Sequence, residues 1–267
     1  MKERIDVLLV QKGYYETREK AKRALMAGLV FVDGQRFDKP GTKIDSEREI
    51  FVKGAAIPYV SRGGLKLEKA IHKFNIELTD SICMDVGAST GGFTDCMLQN
   101  GASKVYSIDV GYGQLDWKLR TDERVVNLER TNVRYLSAEQ VPEKVDFVSI
   151  DVAFISLKLV VPAILSFMND TCKMVCLIKP QFEAGREQVG KKGVVRDAAV
   201  HKEVIVTILT MLKEQGLSIV MLDYSPITGP NGNIEFLAYV TKETVDSIEI
   251  STSADQIVEQ AHEHLRS

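Results

Sequence analysis

Residues Ile82 to Leu98 read ICMDVGASTGGFTDCML, an apolar run that breaks into glycines and then resumes with helical spacing. The pattern predicts a strand, a tight turn and a helix. Gly87, Gly91 and Gly92 allow backbone conformations closed to other residues, and the start of the following helix offers N–H groups to a ligand. The spacing is G-x-x-x-G-G, with Ser89 where a dinucleotide fingerprint would put its second glycine. That disfavours a nicotinamide cofactor and makes S-adenosylmethionine the leading candidate. A ligand-free glycine turn is the plainer alternative.

The 267 residues have room for one large α/β domain and one small one. Charge and proline interrupt the apolar stretches before the ~20 residues that a membrane span requires. The N-terminal MKERIDVLLVQKG has too short an apolar core for a signal peptide, so a soluble cytoplasmic protein without a membrane partner is expected. Cys83, Cys96, Cys172 and Cys176 show no C-x-x-C pair or histidine at metal spacing. Neither a disulfide nor a metal is expected. The net charge of −3 hides an asymmetry: 16 Lys and Arg face 10 Asp and Glu through Lys73, against 18 and 27 in the remainder. A basic front on an acidic protein points to an anionic partner, with ordinary solvated charge as the alternative.

From Arg4 to Lys53 the pattern gives two short helices and then strands. Thr17 is placed to cap the second helix, Arg18 to Ala27, which Gly28 closes. LVFVDGQRF forms two strands around a D-G turn. Arg18, Lys20, Lys22 and Arg23 cluster on the second helix as a candidate phosphate-contacting face.

The R-x-D start at Arg4 and Asp6, the T-R-x-x-A run from Thr17 to Ala21, A-G-L-V-x-V-x-G and the K-P-G at Lys39 to Gly41 resemble an S4-type RNA-binding domain. The resemblance implies a small α+β module whose RNA face includes Arg4, Arg18, Lys22 and Arg23. Few aromatics interleave these cations, which favours shape and phosphate recognition of folded RNA over base stacking. The division is thus residues 1–53 for this module, 54–59 for a short linker and 60–267 for the second domain.

In VSRGGLKLEKAIHKFNI, Leu67, Ala70, Ile71 and Phe74 make an apolar helical stripe, with Lys66 off it and Arg62 just ahead. After the glycine turn, SKVYSIDVGYG is a strand ending in Asp109, positioned for a ribose hydroxyl in a doubly wound sheet. VVNLERTNVRYL adds a strand and a polar loop at Asn132. VDFVSIDVAFISL ends a strand at Asp151, and CKMVCLIKPQFEAG ends another at Lys179. LSIVMLDYSPI and IEFLAYVT form a pair around TGPNGN, with Glu235 near the start of the last strand; helices are expected at Ile164 to Met168 and Val204 to Leu212. The sum is a Rossmann-like sheet with helices on both faces. Gln181 to Val195 reads as an aperiodic mobile loop whose Arg186, Lys191 and Lys192 can hold RNA backbone, or are simply solvated.

Lys66, Asp151, Lys179 and Glu235 follow the K-D-K-E order of FtsJ-like ribose 2'-O-methyltransferases. SRGGLKL, DVGASTGGFTD, DVGYGQL, RTNVR, SIDVAFISL, KPQFEAGREQVGKKGVVRD and GNIEF, behind an S4 module, resemble the TlyA group of ribosomal RNA 2'-O-methyltransferases, often called hemolysin A. The resemblance implies S-adenosylmethionine as donor and the 2'-hydroxyl of a ribosomal RNA nucleotide, a cytidine in relatives, as acceptor. FtsJ has A-P-G-G-W where this chain has S-T-G-G-F, so only the glycines and Asp85 transfer directly. The candidate cofactor contacts are Asp85, Gly87, Ser89, Gly91, Gly92, Phe93, Asp109, Asn132 and Asp151.

The chemistry asks for such a set, because a protonated ribose hydroxyl is a poor nucleophile and the methyl must be approached in line. Lys179 is the expected base, oriented by Asp151 and Glu235, with Lys66 as a second positive charge. The expected partner is ribosomal RNA or a ribosomal subunit, met by a monomer, with an oligomer as the alternative. A noncatalytic RNA-binding assembly factor, a pore-forming toxin and a nicotinamide dehydrogenase are the competing classes.

Overall fold

The structure is a computed structural model that describes residues 2–12, 14–15, 17–45, 48, 50–53 and 58–265. Most of the expected linker, residues 54–57, lies outside the described residues. The chain forms two compact units, residues 1–58 with 262–267, and residues 59–261.

The first unit contains β1 (Lys2–Arg4), α1 (Ile5–Gln11), α2 (Arg18–Met26), β2 (Val30–Val32), β3 (Gln35–Phe37), β4 (Lys43–Asp45) and β5 (Ile50–Val52). Thr17 caps α2 by accepting the Lys20 N–H. At the D-G turn Asp33 and Gly34 both take positive φ, +48° and +77°, the geometry that a two-residue hairpin needs between β2 and β3. Ile5, Leu8, Leu9, Ala21, Leu25, Val30 and Val32 bury a common core under the two helices.

The second unit is built on a seven-stranded sheet of β6 (Ile82–Val86), β7 (Lys104–Ile108), β8 (Val125–Leu128), β9 (Val145–Ile150), β10 (Met168–Ile178), β11 (Ser218–Tyr224) and β12 (Phe236–Thr241). Their spatial order is β11-β12-β10-β9-β6-β7-β8, and β12 runs antiparallel to both of its neighbours. Helices α3 (Gly63–Phe74), α4 (Gly92–Gln99), α5 (Trp117–Arg120), α6 (Leu157–Ile164), α7 (Pro180–Glu183), α8 (Ala198–Glu214) and α9 (Ile250–Leu265) complete the fold. It is a Rossmann-like α/β sheet, preceded in sequence by the small α+β module, and its strand order reverses between β6 and β9. Ligands in such sheets lie at the carboxyl ends of the strands beside that reversal.

Two sequence expectations shift. The helix placed at Ile164 to Met168 lies earlier, at α6, because Ser156 caps it by accepting the Lys158 N–H and Leu157, Val160, Val161 and Ile164 supply its buried face. Met168 already begins β10. The segment read as aperiodic over 181–195 contains the helical turn α7, a 3-10 turn at Arg186–Gln188, and a turn closed by the Gly190 N–H on Val194 O.

Candidate active site

The glycine turn sets distances between elements. Gly87, at φ +87°, lies so close to the β9 end that a Cβ would fall 2.5 Å from the Asp151 carbonyl oxygen. Any side chain at position 87 would therefore push Asp151 away. A Cβ on Gly92 would fall 2.3 Å from Ser61 Oγ and 2.8 Å from the Gly64 nitrogen, so α3 and α4 meet at a glycine contact. That contact places Lys66, half a turn further along α3, over the strand ends. Gly91 supplies the left-handed N-cap of α4 at φ +95°.

The four residues of the K-D-K-E order converge. Lys66 Nζ lies 2.7 Å from Glu235 Oε2 and 3.5 Å from Asp151 Oδ2, while Lys179 Nζ pairs with Asp151 Oδ1. Glu235 has no exposed surface, and its other oxygen accepts from Gln181 Nε2 at 3.2 Å. Lys66 and Lys179 are 9% and 12% exposed at the side chain, so both ammonium groups depend on these carboxylates. Burial opposes the Lys66 charge, but Asp151 and Glu235 outweigh it and hold its pKa above the ordinary lysine value. Lys66 is thereby a fixed cation and a poor base.

The expected cofactor residues divide into two layers. Ser89 is exposed at φ +49°, and its N–H donates to Asp109 Oδ2 at 2.8 Å while the Gly111 N–H donates to Oδ1 at 2.7 Å. Asp109 thus braces the turn from the next strand end and keeps further acceptor capacity on both oxygens. Asn132 is exposed at the start of a 3-10 turn after β8. Asp85 and Phe93 lie beneath this surface. Asp85 is fully buried and accepts from Thr94 Oγ1 at 2.7 Å and Ser149 Oγ at 3.1 Å. Burial pushes its pKa up to about 7 against those two hydrogen bonds. Phe93 packs in the core against Gly63 of α3.

Among the expected RNA contacts, Arg4 and Arg18 converge on the buried Asp6 at 2.9 Å and 2.8 Å, with their side chains 43% and 50% exposed. Lys22 pairs with Glu19 at 2.8 Å. Lys20 and Arg23 are exposed on the same helix, and Arg62, Arg186, Lys191 and Lys192 are exposed on the second unit.

Sequence reading missed an aromatic rim. Tyr112, Trp117, Tyr135 and Phe154 are 68%, 74%, 74% and 90% exposed, and all lie in segments following the parallel strands β7, β8 and β9. Arg130 stacks over Tyr112 at 4.1 Å, and Phe154 meets Phe182 of α7 at 5.0 Å between ring centroids. The available signal was a phenylalanine set in a strand-end loop three residues after a candidate catalytic aspartate.

A Rossmann-like sheet with a glycine turn, a strand-end carboxylate and a buried lysine–carboxylate set defines a methyltransferase of the ribose-modifying type. The FtsJ-like methyltransferase family matches residues 59–242 and the S4 domain family matches residues 3–50. The chain belongs to the FtsJ-like methyltransferases, in the TlyA or hemolysin A group that carries an S4 domain in front. It is 51% identical to a candidate rRNA methyltransferase, YqxC, of Bacillus subtilis, over 99% of this chain and 96% of that protein. It is 41% identical to the 16S/23S rRNA (cytidine-2'-O)-methyltransferase TlyA of Mycobacterium tuberculosis, over 90% of each. A solved structure of a candidate hemolysin from Streptococcus thermophilus is 50% identical, with a TM-score of 0.77 over 99% of this chain and 97% of that one.

The residues present fit the methyl donor S-adenosylmethionine. Its ribose hydroxyls and ammonium call for acceptors at strand ends, where Asp109 and Asp151 stand, and Ser89 and Thr90 of the turn are exposed.

Proposed function

We propose that this protein transfers a methyl group from S-adenosylmethionine to a ribose 2'-hydroxyl of ribosomal RNA, at a cytidine, in the cytoplasm. The observation that carries the reading is the convergence of Lys66, Asp151, Lys179 and Glu235 at the carboxyl edge of the sheet, beside an exposed aromatic rim. Membership of the FtsJ-like family and the 41% identical cytidine-2'-O-methyltransferase of Mycobacterium tuberculosis support the substrate.

Bound S-adenosylmethionine supplies an electrophilic sulfonium methyl. Asp109, Ser89 and Asn132 would hold its nucleoside end, and Asp151, which pairs with Lys179, would reach it from the end of β9. Lys179 would take the proton that the ribose hydroxyl gives up as that oxygen becomes the nucleophile. Lys66 is held as a cation between Asp151 and Glu235, which leaves Lys179, the other lysine of the set, for the role of base. Lys66 then stabilises negative charge developing on the hydroxyl oxygen. Gln181 keeps Glu235 facing Lys66.

Phe154 and Phe182 offer a stacking surface for the acceptor base, and Tyr112 with Arg130 and Tyr135 with Arg134 are further exposed ring–cation pairs after the neighbouring strands. Arg4, Arg18, Lys20, Lys22 and Arg23 of the S4 unit, with Arg62, Arg186, Lys191 and Lys192, bind phosphates as a sequence-independent term. The protein acts as a monomer on ribosomal RNA or assembled subunits. A lytic activity, which the hemolysin name suggests, has no support from a spanning helix: among the described residues none is long and apolar enough.

Mapping 2'-O-methyl groups in ribosomal RNA from cells with and without the protein tests the reading. A cytidine whose ribose methylation disappears with the protein is expected. Identical maps from both strains would refute it.

A further inference from the structure

The single turn α7 sends three consecutive side chains to three destinations. Gln181 reaches Glu235, Phe182 meets Phe154, and Glu183 turns to the start of α6. There Glu183 Oε2 accepts from Ser156 Oγ at 2.5 Å and Oε1 accepts from the Leu157 N–H at 2.8 Å. Ser156 is itself the N-cap of α6, with Oγ accepting from the Lys158 N–H at 3.1 Å. A carboxylate at this place satisfies N–H groups that the helix leaves open and lies at the positive end of its dipole.

The loop between Asp151 and Ser156 carries Phe154. It is pinned in front by the Asp151 N–H on the Val86 carbonyl at 2.9 Å, and behind by Glu183. Phe154 holds φ +63° with its ring 90% exposed, a conformation costly for a bulky side chain and one that persists only where the surroundings enforce it. Desolvation raises the Glu183 pKa against the opposing hydrogen bonds from Ser156 and Leu157, so the carboxylate bears a cost for being there. No step of methyl transfer uses it.

We propose that Glu183 is a positioning residue for the acceptor nucleotide: by tying α7 to the start of α6 it fixes the Phe154–Phe182 stacking surface beside Lys179 and Asp151. The proposal rests on the reading of that surface as the platform for the acceptor base. Without the tie, the loop relaxes to a negative φ at residue 154 and the platform loses its place. The lysine–carboxylate set and the glycine turn are held by other contacts and keep their geometry.

The test is a double-mutant cycle in the full-length protein, with Glu183→Gln, Phe154→Ala and both together. The substrate is ribosomal RNA, free and in subunits, from cells lacking the protein. The readouts are kcat and KM for RNA, the Kd for S-adenosylmethionine by calorimetry, and the melting temperature. For Glu183→Gln a loss of about tenfold in kcat/KM for RNA is expected, from weakening two hydrogen bonds to a charged group, with the cofactor Kd within about twofold of the parent. The double variant should match Phe154→Ala, because a displaced platform has nothing further to lose. Losses that multiply in the double variant would overturn the tie while leaving the platform intact. A normal Phe154→Ala would overturn the platform and the tie with it. If Glu183→Gln does not fold, Ser156→Asn, which can still accept from the Lys158 N–H as an N-cap, disturbs the bond to Glu183 and runs through the same cycle, with about threefold expected.

Discussion

Lys66 Nζ lies 2.7 Å from Glu235 Oε2, a carboxylate with no exposed surface, although 169 residues separate the two in sequence. Removing Lys66 strands a buried anion, whereas removing both charges does not. Lys66→Met should cost about 3 kcal/mol, lowering the melting temperature by about 6–12 °C. Lys66→Met with Glu235→Leu should recover most of that stability and none of the methyl transfer. Calorimetry and a methyl-transfer assay on the same preparations check both halves.

The glycine contact between α3 and α4 positions that lysine. An alanine at position 92 would put its Cβ 2.8 Å from the Gly64 nitrogen, and backbone cannot swing aside as a side chain can. Gly92→Ala should destabilise by about 2 kcal/mol and reduce methyl transfer with Lys66 still present. Activity retained at full level would show that the spacing of α3 and α4 is not critical.

Asp85 gives the second unit a pH signature. Its carboxyl keeps its proton up to about pH 7 when folded, against an ordinary value of 3.8, so the unfolded chain releases that proton first. Stability through this group is highest below pH 4 and falls as pH rises through 7, by on the order of 4 kcal/mol. Asp85→Asn should flatten that fall. Denaturant melts of parent and variant at pH 5 and pH 8 measure the difference.

Asp6 gives the first unit the opposite sign. Burial acts against its charge, but hydrogen bonds from Arg4 and Arg18 prevail and draw its pKa down to about 2. Its contribution, about 2 kcal/mol, is complete above pH 4 and is lost as pH falls through 2. Asp6→Asn should therefore expose the Leu8 and Leu9 amides to hydrogen exchange at pH 6, with the gap from the parent closing towards pH 2.

The strand–turn–helix at residues 82–98 and the order of the parallel strands were legible because they depend on local pattern, whereas Lys66, Asp151, Lys179 and Glu235 were grouped by the resemblance to the FtsJ-like enzymes. What lay under the glycine turn was not legible. Asp85 and Asp109 both end strands, yet one is sealed beneath α4 by Thr94 and the other faces outward, and only the packing of α4 separates them. That Arg4 and Arg18 share one anion was not legible, because Asp6 faces inward from α1. Glu235 stands just before β12, which lies between β10 and β11, so its environment is set by elements distant in sequence. The aromatic rim escaped because single exposed rings carry no periodicity.

The central claim is that Lys179 takes the proton from the acceptor hydroxyl. Single-turnover methyl transfer to ribosomal RNA by Lys179→Ala, with cofactor and RNA binding measured on the same protein, tests it most directly. Binding within about threefold of the parent is expected, with a transfer rate at least about a hundredfold lower, the range of a lost general base. Near-normal transfer with intact binding would contradict it.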